Sequence, residues 1–471
     1  VLSGNAVRVR DAASGSIFCL PVGQATLVHA PLHGLTALVR NDAAATLRSA
    51  LRGEGLPSDE RLRSIATRLR GPAVDRPTAR SGTLSDPLFL GIIPTRDCNM
   101  ACEYCDFASR SPSTSRMDRD VACAAVDAFL ALLADGGHQR GQIHFFGGEP
   151  LRAADVVGFI VEYATLCAEN LGINLHFEAT TNGLFSSARA HWVADAFDSI
   201  VLSLDGPPEI QNRQRPALNY QPSFDVVSRT AEILSEGSTQ FAIRSCVTSA
   251  TVDQLPQWAT WISREFHPDI VCFESLTPSK RSAAAGLLPP DPYRFARAFA
   301  SSARILAACG IDTVQSMSDP SGCRISACPV GRDALIVSPD GAVNACYLPE
   351  NQWRDRGLDL RLGHVDAATG RVEIDDEALE RVRGLPGRDK PLCANCYCQY
   401  HCAGGCHVHH DTDGPPASYD DLCIATRLIT ADRLLRGLHL PEVSAECLRD
   451  AVSAATLAQN SNDRLLACEV T

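Results

Sequence analysis

Residues 94–107 read Pro-Thr-Arg-Asp-Cys-Asn-Met-Ala-Cys-Glu-Tyr-Cys-Asp-Phe and directly follow an apolar run at 88–93. Cys98, Cys102 and Cys105 stand at C-x3-C-x2-C, with the aromatic Tyr104 beside the last. Three thiolates close together hold three irons of a [4Fe–4S] cube and leave the fourth iron open to another ligand. A structural zinc site would want a fourth Cys or His nearby, and Cys123 and His138 lie too far along to close one locally. A zinc knuckle with a distant ligand is the competing reading of the spacing alone. The preceding strand-like run favours the iron–sulfur one.

Working outward, the 471-residue chain is too long for one ordinary core, so two or three domains are expected. Apolar residues make up 45% of it, as in a soluble globular protein. The net charge of −12 comes with no basic stripe to neutralise phosphates, which argues against nucleic acid as a partner. No apolar run reaches the roughly 18 residues a membrane span needs, so no membrane partner is expected. Residues 1–16 have no apolar h-region, so no secretory signal is expected. Twenty cysteines in that setting do not read as a disulfide framework. Seven lie between Cys346 and Cys423 and three in the opening loop, which points to metal in a reducing, cytoplasmic compartment. The scattered ones (Cys19, Cys123, Cys167, Cys246, Cys272, Cys309, Cys447, Cys468) are expected to be mostly inert core thiols.

Residues 1–86 read as a separate N-terminal module. Stretches 16–22, 25–30 and 35–39 suggest strands, the first two turning at Gly23-Gln24. Stretches 43–51 and 58–69 suggest helices, the second with Ser58 as N-cap. Residues 71–87, with Pro72, Pro77, Gly82 and Pro87, read as a linker. Residues 87–318 then alternate: strands at 88–93, 142–146, 175–180, 199–204, 241–248 and 270–274, helices at 118–134, 153–171, 188–196, 224–235 and 254–265. Six strands separated by helices imply a parallel sheet with right-handed crossovers and chemistry at the strands' carboxyl ends. The fold class expected is therefore α/β.

The cysteine loop at the end of the first such strand resembles the cluster loop of the radical S-adenosylmethionine (SAM) enzymes. Their partial (β/α)6 barrel has this same layout. The resemblance implies that the amino and carboxylate groups of SAM chelate the open iron. After the second strand, Phe146-Gly147-Gly148-Glu149-Pro150 looks like the family's Gly-Gly-Glu, which implies that Gly147, Gly148 and Glu149 hold the SAM amino group. Thr180-Thr181-Asn182-Gly183 and Ser203-Leu204-Asp205-Gly206-Pro207 follow the third and fourth strands. By the same resemblance Asn182 belongs to the SAM site, Ser203 and Arg215 face the SAM carboxylate, with Arg244 a second candidate, and Tyr104 lies near the adenine. Strand-end Ser, Asn and Arg also commonly just cap helices.

The C-terminal third, 319–438, is rich in cysteine. Residues 333–346 read as a β-hairpin turning at Pro339-Asp340-Gly341. Cys393-x2-Cys396-x5-Cys402-x3-Cys406 and Cys423 follow it. This pattern resembles the SPASM domain that follows the barrel in a subset of radical SAM proteins. The resemblance implies two further [4Fe–4S] clusters, three in all. Cys323, Cys328, Cys346 and Cys406 would hold the nearer, and Cys393, Cys396, Cys402 and Cys423 the outer. Cys398 falls outside the pattern as a bystander, and His407, His409 and His410 read as a solvated polar turn. A pair of zinc sites is the alternative for such spacing. Residues 439–471 read as a helical cap and tail.

Taken together, the resemblance implies an enzyme that forms a 5′-deoxyadenosyl radical from SAM and removes an unactivated hydrogen from a peptide. An electron donor such as flavodoxin or ferredoxin is implied as a partner, and a precursor peptide as substrate. The N-terminal module is similar to winged-helix modules that grip leader peptides; a plain extension covering one end of the barrel is the alternative. Oxidative cross-linking of a ribosomal peptide, peptide epimerisation and formylglycine formation by an anaerobic sulfatase maturase compete as reactions. A non-catalytic iron–sulfur or zinc scaffold competes as a class. The sulfatase maturases place an aspartate base after the cysteine matching Cys346, where this chain has Tyr347.

Overall fold

The computed structural model describes residues 16–107, 116–387, 390–410 and 419–460. The expectations for residues 1–15, for the tail beyond 460 and for Cys468 lie outside them. Strands β1 (Phe18–Val22), β2 (Ala25–Ala30) and β3 (Leu35–Arg40) form an antiparallel meander. Its first turn uses Gly23 at φ 57°, a left-handed conformation that favours glycine. Helices Asn41–Leu51 and Glu60–Arg70 follow. The second is capped by Asp59, whose carboxylate accepts Leu62 N–H at 2.9 Å, and not by Ser58. Phe18, Leu20 and Val22 point into the main core, while Ile17, Cys19 and Val28 pack with Leu47 and Leu69 in a smaller one. This two-residue period means that the module is not a separate piece, since one face of its sheet is a wall of the main core. His29 Nε2 lies 2.8 Å from His401 Nε2, and Ser16 Oγ 3.2 Å from Tyr400 OH, tying it to the cysteine-rich third.

The main sheet begins with β4 (Leu90–Ile92), β5 (Arg140–Phe145), β6 (Asn174–Thr181), β7 (Ser199–Ser203), β8 (Gln240–Val247) and β9 (Ile270–Ser275). Each is parallel to the next, as the sequence predicts. A seventh parallel strand, β10 (Asp312–Val314), extends beyond β9; with three residues it is too short to show a periodicity. The helix Pro292–Ala307 before it is also absent from the sequence reading. Its start was nonetheless written in the chain, since Asp291 caps it and Pro292 opens it.

At the other edge the predicted hairpin is present as β11 (Leu335–Val337) and β12 (Ala342–Asn344), with Gly341 at φ 81° in the turn. Strand β11 lies parallel against β4, and β12, β13 (Arg361–Asp366) and β14 (Arg371–Ile374) continue antiparallel, giving eleven strands. The boundary drawn at 318/319 therefore crosses a continuous sheet. Helices Asp421–Gly437, Pro441–Arg449 and Ala451–Gln459 complete the described chain. Among the described residues no helix is long and apolar enough to cross a membrane.

Candidate active site and cysteine centres

Because β4 to β9 are parallel, the loops after them meet at one edge of the sheet. The loop after β4 carries Cys98, Cys102 and Cys105. It is seated on the loop after β5, where Gly148 N–H donates to Thr95 O at 3.2 Å and Glu149 N–H to Asp97 O at 2.8 Å. A Cβ on Gly147 would stand 2.5 Å from Thr95 O, and one on Gly148 2.3 Å from Asp97 O. The paired glycines thus admit the backbone of the cysteine loop; the sequence reading had them admit a ligand.

Glu149 is buried. Its Oε1 accepts Thr181 Oγ1 at 2.8 Å and Leu151 N–H at 3.1 Å, and its Oε2 accepts Asn182 N–H at 2.7 Å. Burial pushes its carboxyl up to about 7, against those three hydrogen bonds, which favour the charged form. Asn182 in turn donates Nδ2 to Asn99 Oδ1 at 2.9 Å and reaches Cys98 Sγ at 3.6 Å. Burial and the neighbouring Cys102 push the Cys98 thiol up to about 12. Cys102 is likewise pushed up to about 12 by burial, with Arg215 pulling the other way.

Asp205, inside the Ser203–Pro207 motif, is a functional residue that the sequence alone does not single out. It is fully buried and accepts four donors: Tyr104 OH at 2.7 Å, Gln214 Nε2 at 2.8 Å, Arg215 Nε at 2.9 Å and Cys246 N–H at 3.0 Å. The Arg215 guanidinium lies 5.4 Å from the Tyr104 ring centroid and reaches Cys102 Sγ at 4.0 Å. Burial works against its charge and Asp205 outweighs burial, so it is held firmly protonated. One carboxylate therefore ties Arg215 to Tyr104 of the cysteine loop. Ser203 is buried at the end of β7, in register with Arg244 of β8. Arg244 faces Glu274 at 3.8 Å, and Cys272 Sγ donates to Glu274 Oε1 at 3.3 Å. Cys272 is buried, as expected, with its thiol on Glu274, Cys246 is only partly buried and Cys309 is exposed.

Tyr347 occupies a notch in the barrel wall. Its OH lies 2.7 Å from His144 Nδ1, and His144 Nε2 lies 3.1 Å from Thr180 Oγ1 and 3.4 Å from Glu178 Oε1. Gly91 of β4 makes the space, since a Cβ there would come within 2.6 Å of the phenol oxygen. Burial pushes the phenol well above its ordinary value, so position 347 carries a group that stays protonated.

In the C-terminal third, Cys393, Cys396, Cys402 and Cys423 line one cavity together with Cys398, His410, Tyr419 and Arg427. Burial pushes Cys402 up to about 12 and Cys393 up to about 11, each helped by Cys396. Cys396 moves the other way, to about 5, through the hydrogen bond from Cys398 and, against burial, the charge of Arg427. Cys398 is therefore a lining residue and no bystander. His410 is buried, with Nε2 3.1 Å from Cys423 Sγ and 3.3 Å from Asp420 Oδ2, so it is not part of a solvated turn. His410, Asp420 and Cys423 bring one ligand atom each within 4.8 Å of one another. A second group forms where Cys346 is pushed up to about 12 by burial and by Cys328 and Cys406. Cys323 does not share that coupling, its thiol being raised by burial alone. Buried thiols that raise one another's proton affinity fit a cationic metal centre, which would stabilise the thiolates together.

Residues 92–244 match the Radical SAM superfamily. A cysteine-type anaerobic sulfatase-maturating enzyme of Clostridium perfringens is 23% identical over 345 residues, 69% of this chain and 90% of that one. A probable GTP 3′,8-cyclase of Methanopyrus kandleri is 29% identical over 163 residues, 34% of this chain and 48% of that one. The solved structure of native anSMEcpe with bound AdoMet and the Kp18Cys peptide superposes with a TM-score of 0.59 at 21% identity, covering 75% of this chain and 99% of that one.

Proposed function

Residues 92–244 are a radical SAM domain, and from that premise we propose that the chain is a radical SAM/SPASM maturase that joins two residues of a ribosomally made peptide by a net oxidation. The observation that carries the reading is the meeting of three thiols with Glu149 and the Asp205 network at one sheet edge, backed by two further groups of partly or fully buried thiols. When bound, a [4Fe–4S] cluster and SAM supply abstraction of an unactivated hydrogen atom. Cys98, Cys102 and Cys105 would hold that cluster. Tyr104, Glu149, Asn182, Ser203 and Arg215 would surround SAM, with Gly147 and Gly148 seating the loop. Cys328, Cys346 and Cys406, with Cys323, would hold a second cluster, and Cys393, Cys396, Cys402 and Cys423 a third. A flavodoxin or ferredoxin would deliver electrons. In the N-terminal module, strand β3 pairs on one side only among the described residues, which suits an extended leader peptide added as a further strand.

Net oxidation is favoured because four thiols around one cavity suit a centre that takes up the second electron; epimerisation would instead need a thiol such as Cys246 or Cys272 to return a hydrogen atom. Product mass after turnover in deuterated water tests this. Loss of two hydrogens is expected, whereas gain of one deuteron without that loss would make the chain an epimerase. The likeness to the sulfatase-maturating enzyme gives formylglycine as the second reading, and loss of substrate sulfur would establish it. Against it stands Tyr347, which stays protonated at the position of the aspartate base.

Glu149 gives a narrower test. Glu149→Gln keeps the side chain's size and removes the charge an ammonium needs, together with one of the two acceptor atoms that take donors from Thr181 and Asn182. SAM affinity measured by calorimetry is expected to fall about tenfold (~1.4 kcal/mol), with iron content unchanged. Unaltered affinity would leave Glu149 a purely positional role.

A further inference from the structure

Arg427, in the helix Asp421–Gly437, is fully buried beside the four-cysteine cavity. Its Nη1 donates to Cys396 Sγ at 3.0 Å. The rest of the fork is fixed elsewhere: Nε and Nη2 donate to Leu457 O at 3.1 and 2.9 Å, and Nη2 also to Asn460 O at 2.8 Å. These carbonyls close the C-terminal end of the helix Ala451–Gln459, where a cation is favoured. The rings of Tyr397 and Tyr419 flank the guanidinium, with centroids 4.5 and 4.4 Å from its carbon. A guanidinium does not lose its proton in proteins. The Nη1 donor aimed at the Cys396 sulfur thus carries a permanent charge that cannot swing away.

A metal centre bound through thiolates gains negative charge when it takes up an electron. A fixed cationic donor on one of its sulfurs stabilises the reduced form more than the oxidised form, most strongly where water is excluded. Hydrogen bonds to the sulfurs are among the determinants of iron–sulfur potentials. We infer that Arg427 is a positioning residue that raises the reduction potential of the Cys393–Cys396–Cys402–Cys423 centre and makes it the preferred resting place for an electron. The inference rests on the three-cluster reading above.

The test is a potentiometric titration of the anaerobically reconstituted full chain, followed by electron paramagnetic resonance, with dithionite as electron source. The wild type is compared with Arg427→Gln and Arg427→Lys. In Arg427→Gln one cluster is expected to become about tenfold harder to reduce, a shift of ~59 mV for one electron, while the other two stay in place. Arg427→Lys, which keeps the charge, is expected to lie nearer the wild type. Full iron with wild-type potentials in Arg427→Gln overturns the inference and leaves the three-cluster reading intact. If Arg427→Gln loses about four irons, retention of iron and potential in Arg427→Lys supports the inference. Equal loss in both variants makes the residue architectural and overturns it. Zinc without sulfide in the wild type overturns both readings.

Discussion

Alanine at Cys98, Cys102 and Cys105 together is expected to abolish 5′-deoxyadenosine formation and to lower bound iron from about twelve to about eight per chain. The three thiols lie in a loop whose backbone is pinned to Gly148 and Glu149, so the substitutions remove sulfur without removing the seat. The auxiliary thiols lie in the C-terminal third, and their iron is expected to survive. Colorimetric iron and sulfide analysis together with chromatography of the SAM products checks both halves. Residual 5′-deoxyadenosine at wild-type rates would place the SAM chemistry elsewhere in the molecule.

Asp205→Asn is expected to have the largest effect of any single substitution outside the cysteines. The carboxylate accepts Tyr104, Gln214, Arg215 and the Cys246 amide, so an amide in its place strands the Arg215 charge in a buried site. Breaking a buried pair from one side costs about 3–5 kcal/mol. The Tyr104 ring within the cysteine loop, and the Arg215 fork that reaches Cys102, would lose their anchor. SAM cleavage is therefore expected to fall at least about a hundredfold (~2.7 kcal/mol). Thermal melting of the apoprotein separates stability from chemistry. Asp205→Asn combined with Arg215→Gln is expected to recover part of the stability, since no charge is then left unpaired. Equal melting of the single and double variants would show that the pair does not anchor the loop.

The parallel sheet and the first cysteine loop were legible in the sequence because both are local signals. Stretches rich in β-formers, such as 142–146 or 241–248, announce strands by themselves, and C-x3-C-x2-C needs no partner to be noticed. Contacts between distant stretches were not legible. Nothing near Asp205 in sequence shows that Tyr104, 101 residues earlier, donates to it. Glycine pairs read as ligand-facing because that is a common use of them; only the fold shows the backbone of 95–97 in the space. His410 and Cys398 looked dispensable because the cysteine spacing was complete without them. What brings them to the cavity is the helix carrying Cys423 and Arg427. The N-terminal module read as separate because its strands and helices form a complete local unit. The alternation of Phe18, Leu20 and Val22 was visible, but not the core that receives it.

The pairing of β11 with β4 has a consequence for how the protein is made. During synthesis β4 leaves the ribosome long before β11. At 5–20 residues per second its outer edge stays uncovered for roughly 10–50 s. An open strand edge invites pairing with other chains. The same edge would be bared permanently in a fragment ending at 318, so the barrel is expected to aggregate when produced without its C-terminal third.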